Sequence, residues 1–178
     1  MSAGYVITPG AVMSADRRYR YELRRLVDAT GYGEIVWYML NPSTADEREN
    51  DPTIRRCLDF SRRWGFRSLR VVNLVPLRSA NPSTVVRAYR GPPFGGDYFT
   101  NMSYQERAVE EADAVVLAWG SHGDDLDGES FMERAQELSD EVWVLGWNRD
   151  GTPRHPLYVK ADTKPIHATD DSRKWLRS

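Results

Sequence analysis

The chain has one cysteine, Cys57, in 178 residues, so no internal disulfide can form. No apolar run approaches the roughly 18–20 residues that a membrane span requires, and no membrane partner is expected. Met1 to Met13 lacks the basic start and following apolar stretch of a secretory signal, which together with the lone thiol points to a cytoplasmic protein. The three histidines, His122, His155 and His167, are scattered and have no cysteine or carboxylate at ligand spacing. No metal and no other cofactor is therefore expected. A Gly-rich phosphate loop and a Gly-x-Ser-x-Gly elbow are both missing, so nucleotide-hydrolase and serine-hydrolase readings lack their signatures. A strong basic surplus is missing too: the net charge is −2, which argues against nonspecific nucleic-acid binding.

What is present is the length and composition of one globular domain, expected over residues 1–178. Charge is unevenly spread. Residues 1–90 carry 15 Lys and Arg against 9 Asp and Glu, a net of +6, and residues 91–178 carry 9 against 17, a net of −8. A local cationic face and a merely solvated arginine-rich surface both fit this pattern. Nothing in the sequence sets an oligomeric state.

Hydrophobic patterning gives the order of elements. Tyr19 to Leu26 alternates large and charged residues, and turn chemistry at Asp28 to Gly33 precedes the apolar run Ile35 to Leu40, which reads as a hairpin feeding a buried strand. Asp51 can cap a helix with Pro52 in its first turn, Ile54, Cys57, Leu58, Ser61 and Trp64 on one stripe, and Gly65 as its end. Cys57 then belongs to the core. Further strands are predicted at Leu69–Val75, Ala114–Trp119 and Glu141–Gly146, with helices from Pro82, over Asn101–Ala112 and over Gly128–Leu138, and a loop at Gly91–Gly96. Strands alternating with helices imply a three-layer α/β/α sandwich with a mostly parallel, four-stranded central sheet, plus the N-terminal β-hairpin. In such sheets ligands bind beyond the carboxyl ends of the strands. Asn-Pro-Ser-Thr occurs at 41–44 and again at 81–84, but the flanking residues do not repeat.

The loop Asn41-Pro42-Ser43-Thr44 can hold an anion or orient a water, or can simply cap the strand-to-helix turn. Asp46, Glu47, Glu49 and Asp51 follow it, any of which could serve as a general base or remain a solvated loop charge. His155, fixed between Pro153 and Pro156, can donate to a leaving group or an anionic oxygen.

Met39 to Asp46, Asp51 to Cys57 and Gly151-x-Pro153-Arg154-His155-Pro156-Leu157-Tyr158 together resemble an uncharacterised bacterial and phage family, which brings no activity with it. Four shorter stretches, in order, are similar to strand-end motifs of the uracil-DNA glycosylase superfamily. These are Leu40-Asn41-Pro42, Val72-Asn73-Leu74-Val75-Pro76-Leu77-Arg78, Leu117-Ala118-Trp119-Gly120-Ser121-His122 and His155-Pro156-Leu157. The resemblance implies that fold and a nucleobase- or nucleic-acid-directed enzyme, a DNA glycosylase-like hydrolase, with DNA or a nucleotide or nucleoside as partner. It implies that Asn73 reads the base edge, that His155 stabilises charge on the departing base, and that Asn41 positions the attacking water with help from Asp46. Pro42, Ser43, Thr44, Arg78, Trp119 and Gly120 are expected around the substrate. Arg55, Arg56, Arg62 and Arg63 are the candidates for backbone phosphate contact.

There are departures. Asn41 replaces the aspartate of the most active members, Leu40 a glycine, and Leu157 the serine of a His-Pro-Ser loop; the lone cysteine excludes the iron–sulfur cluster of some relatives. They shift the expected substrate from plain uracil to a modified or non-standard base. A base-modifying or group-transfer enzyme of phage DNA modification, and a noncatalytic nucleic-acid- or nucleotide-binding protein, are the alternatives.

Overall fold

The computed structural model describes residues 9–89, 96–169 and 172–173. Seven strands form one sheet in the order β1 (Gly10–Met13), β2 (Arg20–Leu26), β4 (Phe66–Asn73), β3 (Tyr32–Met39), β5 (Ala114–Leu117), β6 (Val142–Val144) and β7 (Ile166–His167). Strand β3 runs parallel to β4 on one side and to β5 on the other, and β5 runs parallel to β6. The β1/β2, β2/β4 and β6/β7 pairings are antiparallel. The sheet is thus mixed and larger than the expected four strands with a separate hairpin. The hairpin joins it because β2 pairs with β4, Leu23 opposite Val71, and not with β3, its successor in the chain. Strands as short as β1 and β7 carry no periodicity to read.

Side chains of β3 alternate across the sheet, and each face has its own helices. Ile35, Trp37 and Met39 pack with Ile54, Cys57 and Phe60 of α1 (Pro52–Arg63). Val36, Tyr38 and Leu40 pack with residues of α2 (Pro82–Tyr89), α3 (Gly96–Glu111) and α4 (Gly128–Leu138). The α1 start is as expected: the Asp51 carboxylate accepts from Ile54 N–H at 2.9 Å, and Pro52 lies in the first turn. Phe60, absent from the expected stripe, is buried. The expected loop at Gly91–Gly96 falls on residues 90–95, outside the described residues, and Gly96 opens α3. Among the described residues no helix is long and apolar enough to cross a membrane.

Arg70 of β4 is buried among carboxylates. Its guanidinium lies 2.5 Å from Glu34, 3.0 Å from Glu111 and 3.7 Å from Glu22. Removing one member of such a cluster leaves uncompensated buried charge. Arg70→Ala should cost about 3–5 kcal/mol of stability, read by urea denaturation at neutral pH. The double variant Arg70→Met with Glu34→Leu should recover most of that loss, and a single-variant cost under about 1 kcal/mol would show that water already compensates the cluster.

Candidate functional site

Because β4 and β5 leave β3 on opposite sides, the loops after these strands diverge and a crevice opens at their carboxyl ends. A cavity of about 630 Å³ lies there, within the roughly 300–1,000 Å³ of small-molecule sites. Asn41, Ser43, Thr44, Asn73, Trp119, Gly120 and His155, expected from the sequence, all line it. So do Asp51, one of the four candidate general bases, and Arg20, Asn148, Leu157 and Tyr158, which were not expected as substrate contacts.

Asn41 lies two residues beyond Met39, the last residue of β3, and its amide crosses to the loop after β4. Its Nδ2 donates to Pro42 O at 2.8 Å, Ser79 O at 2.8 Å and Leu77 O at 3.4 Å. Three surrounding carbonyls fix this atom as the nitrogen, since an oxygen there would face only acceptors. Ser79 N–H in turn donates to Pro42 O at 2.8 Å. The Asn41 amide therefore both closes the mouth of the sheet and lines the cavity.

Asn73 ends β4 and is 1% exposed. Its main-chain carbonyl accepts from Gln105 Nε2 at 2.6 Å and Asn101 Nδ2 at 3.0 Å, so α3 clamps the strand at this residue. Arg20, 2% exposed, reaches across from β2. Its Nη2 donates to Asn73 Oδ1 at 3.3 Å and its Nη1 to Ala45 O at 3.0 Å. Burial lowers the pKa of Arg20 to about 10, although nearby Asp51 opposes the shift. Asp51 is itself buried, with its oxygens accepting from Ile54 N–H and, at 3.4 Å, Ala45 N–H. It is the one carboxylate among the described lining residues.

His155 Nδ1 accepts from Leu157 N–H at 3.3 Å, which leaves the proton of the neutral ring on Nε2. Burial lowers the pKa of the imidazole from 6.5 to about 4, again against the pull of Asp51, so the ring is neutral at physiological pH. Gly120 packs against it. With φ at +78°, a Cβ there would lie 3.3 Å from His155 Cβ, and Gly120 N–H donates to Pro153 O at 3.0 Å. Arg56 holds the other side of the segment, donating to Val159 O at 2.7 Å and Pro156 O at 3.3 Å while lying over the Phe60 ring.

The remaining expected site residues do not line the cavity. Asp46 turns into its own loop, accepting from Arg48 and Glu49 N–H groups, which lower its pKa. Pro42 is a buried acceptor for Ser79, and Arg78 donates to Thr44 O and Arg17 O at 3.3 Å each. Of the helix arginines, Arg56 and Arg63 are engaged by carbonyls, the latter by Ala161 O at 2.8 Å. Arg62 pairs with Asp59 at 3.3 Å and Arg55 donates to Asn50 O, both at the surface. Cys57 is buried with its thiol pKa pushed well up, which suits packing and not nucleophilic attack. Among the described residues no three His, Cys, Asp or Glu side chains gather as a metal-holding group.

The model of a family described as "Protein of unknown function (DUF1643)" matches residues 20–157. No curated protein and no solved structure matches the chain.

Two outcomes follow from this geometry. Asn41→Asp should destabilise the protein by about 1–3 kcal/mol, because a carboxylate would face the carbonyls of Pro42, Leu77 and Ser79; a thermal melt matching the parent would refute the staple. For His155, the folded pKa of about 4 lies below the ordinary 6.5, so unfolding takes up a proton between those values. Its contribution to stability is complete above about pH 6.5 and is lost as pH falls towards 4. An NMR titration should place the imidazole near 4, and Arg56→Ala, by loosening the segment and admitting water, should raise it towards 6.5. A midpoint at or above 6.5 in the parent would overturn the buried neutral assignment.

Proposed function

The chain belongs to this family of unknown function, and we propose that it is a glycosylase-like N-glycosidic hydrolase acting on a modified or non-standard nucleobase. The observation that carries this reading is that Asn41, Asn73 and His155 line one cavity at the carboxyl ends of β3, β4 and the segment after β6. These are the strand-end positions at which the sequence resembles the uracil-DNA glycosylase superfamily, and the resemblance to that fold belongs to the same proposal.

In this reading the target nucleotide leaves the stack and its base enters the cavity. The C1′–N bond breaks with its electron pair passing to the base. The neutral His155 ring donates from Nε2–H to the oxygen on which charge develops, a role that needs a donor rather than a preformed cation. Asn41 Oδ1, turned away from the carbonyls that hold Nδ2, accepts from the water that adds to C1′. Asp51 replaces Asp46 as the carboxylate available to take that water's proton, because it lines the cavity and Asp46 does not. Leu157 and Tyr158, 43% and 84% exposed beside His155, form an apolar rim suited to the gap left by an extruded base. Phosphate contact falls to Arg62, since Arg55, Arg56 and Arg63 already hold main-chain carbonyls. The exposed Arg62–Asp59 pair is of the weak surface kind that a phosphate can displace.

Purified protein incubated with oligonucleotides carrying uracil, damaged or hypermodified bases should release free base from at least one. His155→Ala should lower the single-turnover rate by about 10²–10⁴-fold with the fold intact by circular dichroism. Release of no base from any of them would refute the hydrolase, and an altered but intact nucleoside by mass spectrometry would assign a group-transfer reaction instead.

A further inference from the structure

We propose that Asn148 presents a fixed hydrogen-bond acceptor to the cavity, its amide locked by Thr152 and Asp150, and that the ligand places a hydroxyl group there in addition to its base. The inference rests on the base-directed reading above and deepens it by naming a chemical group that the ligand carries beside the ring. An unrestrained asparagine can exchange its donor and acceptor by turning the amide through half a revolution. Asn148 cannot. Thr152 Oγ1 donates its only proton to Asp150 Oδ1 at 2.6 Å, so towards Asn148 it can only accept. The Asn148 atom 3.0 Å from it is therefore Nδ2, which also lies 3.4 Å from Pro153 O. A turned amide would set Oδ1 against two acceptors. Thr152 is itself held, 5% exposed and with its N–H donating to Asp150 Oδ1 at 2.9 Å. Each bond of the chain polarises the next, from the carboxylate through the threonine to Asn148 Oδ1, which gains strength as an acceptor.

What remains for a ligand is Oδ1. Among the described residues nothing donates to it, and Asn148 is half-buried and lines the cavity. Pro153 O, which holds Nδ2, also accepts from Gly120 N–H at 3.0 Å, and Gly120 packs against His155. The acceptor thus stands in the same wall as the imidazole. Strands β4 and β6 are three spacings apart, about 14 Å, so the group that meets Asn148 belongs to another part of the ligand than the edge that faces Asn73. A cavity of about 630 Å³ has room for that part, since such volumes hold drug-sized ligands and not only a flat ring. An ammonium could also donate, but it would add a second cation beside buried Arg20. A hydroxyl adds none. It can come from an arm on a modified base or from the 2′ position of the sugar.

The test is calorimetric titration of the full chain with two pairs that differ by one hydroxyl, 5-hydroxymethyluracil against thymine and uridine against 2′-deoxyuridine. The hydroxyl member of at least one pair should bind about tenfold more tightly or better, and the pair that shows it names the source. Asn148→Ala should bring that ratio towards one. Thr152→Val should do the same and Thr152→Ser should keep it, in protein that circular dichroism shows to be folded; a threonine that only braces the turn would lower stability and leave the ratio unchanged. Equal binding within both pairs, tighter binding of the members without the hydroxyl, a ratio that survives Asn148→Ala or Thr152→Val, or no binding of any of the four would each overturn the proposal. Base release and hydroxyl preference are separate readouts: preference without release removes the hydrolase and keeps the acceptor, and release without preference does the reverse.

Discussion

The architecture turns on β3 having parallel neighbours on both sides. A strand in that position is buried on both faces, and Ile35, Val36 and Trp37 are indeed fully inaccessible. Its two neighbours are reached by crossovers that leave in opposite directions, so no loop can cover its carboxyl end. The ladder nevertheless continues past the strand ends: Leu74 N–H donates to Met39 O and Val75 N–H to Leu40 O, while Ala118 N–H donates to Tyr38 O. Three chain segments are thereby held in register at the point where they diverge, which places Asn41, Asn73 and Trp119 around one cavity.

Holding the long loop between β3 and α1 is a separate problem, because twelve residues without regular structure leave carbonyls to satisfy. Arginines satisfy them. Arg20 donates to Ala45 O, Arg25 to Asp46 O and Glu49 O, and Arg78 to Thr44 O. Arg25 also donates to Asn50 Oδ1 at 2.8 Å, and Arg17 bonds Glu47 at 2.8 Å. Much of the basic surplus in the first half of the chain is therefore internal scaffolding. A guanidinium suits this work because its forked donors can serve two acceptors in one plane. The same consideration explains Arg56 and Arg63, whose helix face looks solvated in the sequence but holds the segment after His155.

Much of the fold was legible because its signals are local. The apolar runs around Ile35, Val71, Val115 and Val142 mark the four strands of the middle of the sheet, and Asp51-Pro52 marks the start of α1. The pairing of β2 with β4 was not legible, since partner choice depends on which edge and which core face are free once the chain has collapsed. The site divides likewise. Asn41, Asn73 and His155 end apolar segments or lie between prolines, and so stand out. Arg20 sits inside an alternating strand where an arginine reads as solvent-facing, and only the antiparallel return of β2 onto β4 brings it under Asn73. Asp51 was recognised as a helix cap, a role it fills while also lining the cavity. Asp46 was the more conspicuous acid, but its short-range bonds to Arg48 and Glu49 amides hold it in its own turn.

The charges left in the cavity have a consequence for the order of events there. Arg20 is cationic and buried, Asp51 is a buried carboxylate committed to backbone amides, and His155 is neutral through burial. Asp51 and Arg20 are close enough to offset one another in part, so an uncharged ligand can enter without meeting a strong field of either sign. Charge that develops during bond cleavage is a different case. In the hydrolysis proposed above, negative charge moving onto the base would meet Arg20 and the Nε2–H of His155, both of which lie within the field of Asp51. Donors and acceptors already fixed by the surrounding carbonyls and amides need no rearrangement as that separation grows. If the proposed hydrolysis operates, such a site would bind the separated charges more strongly than the uncharged ground state, which is the condition under which binding energy lowers a barrier instead of deepening a well.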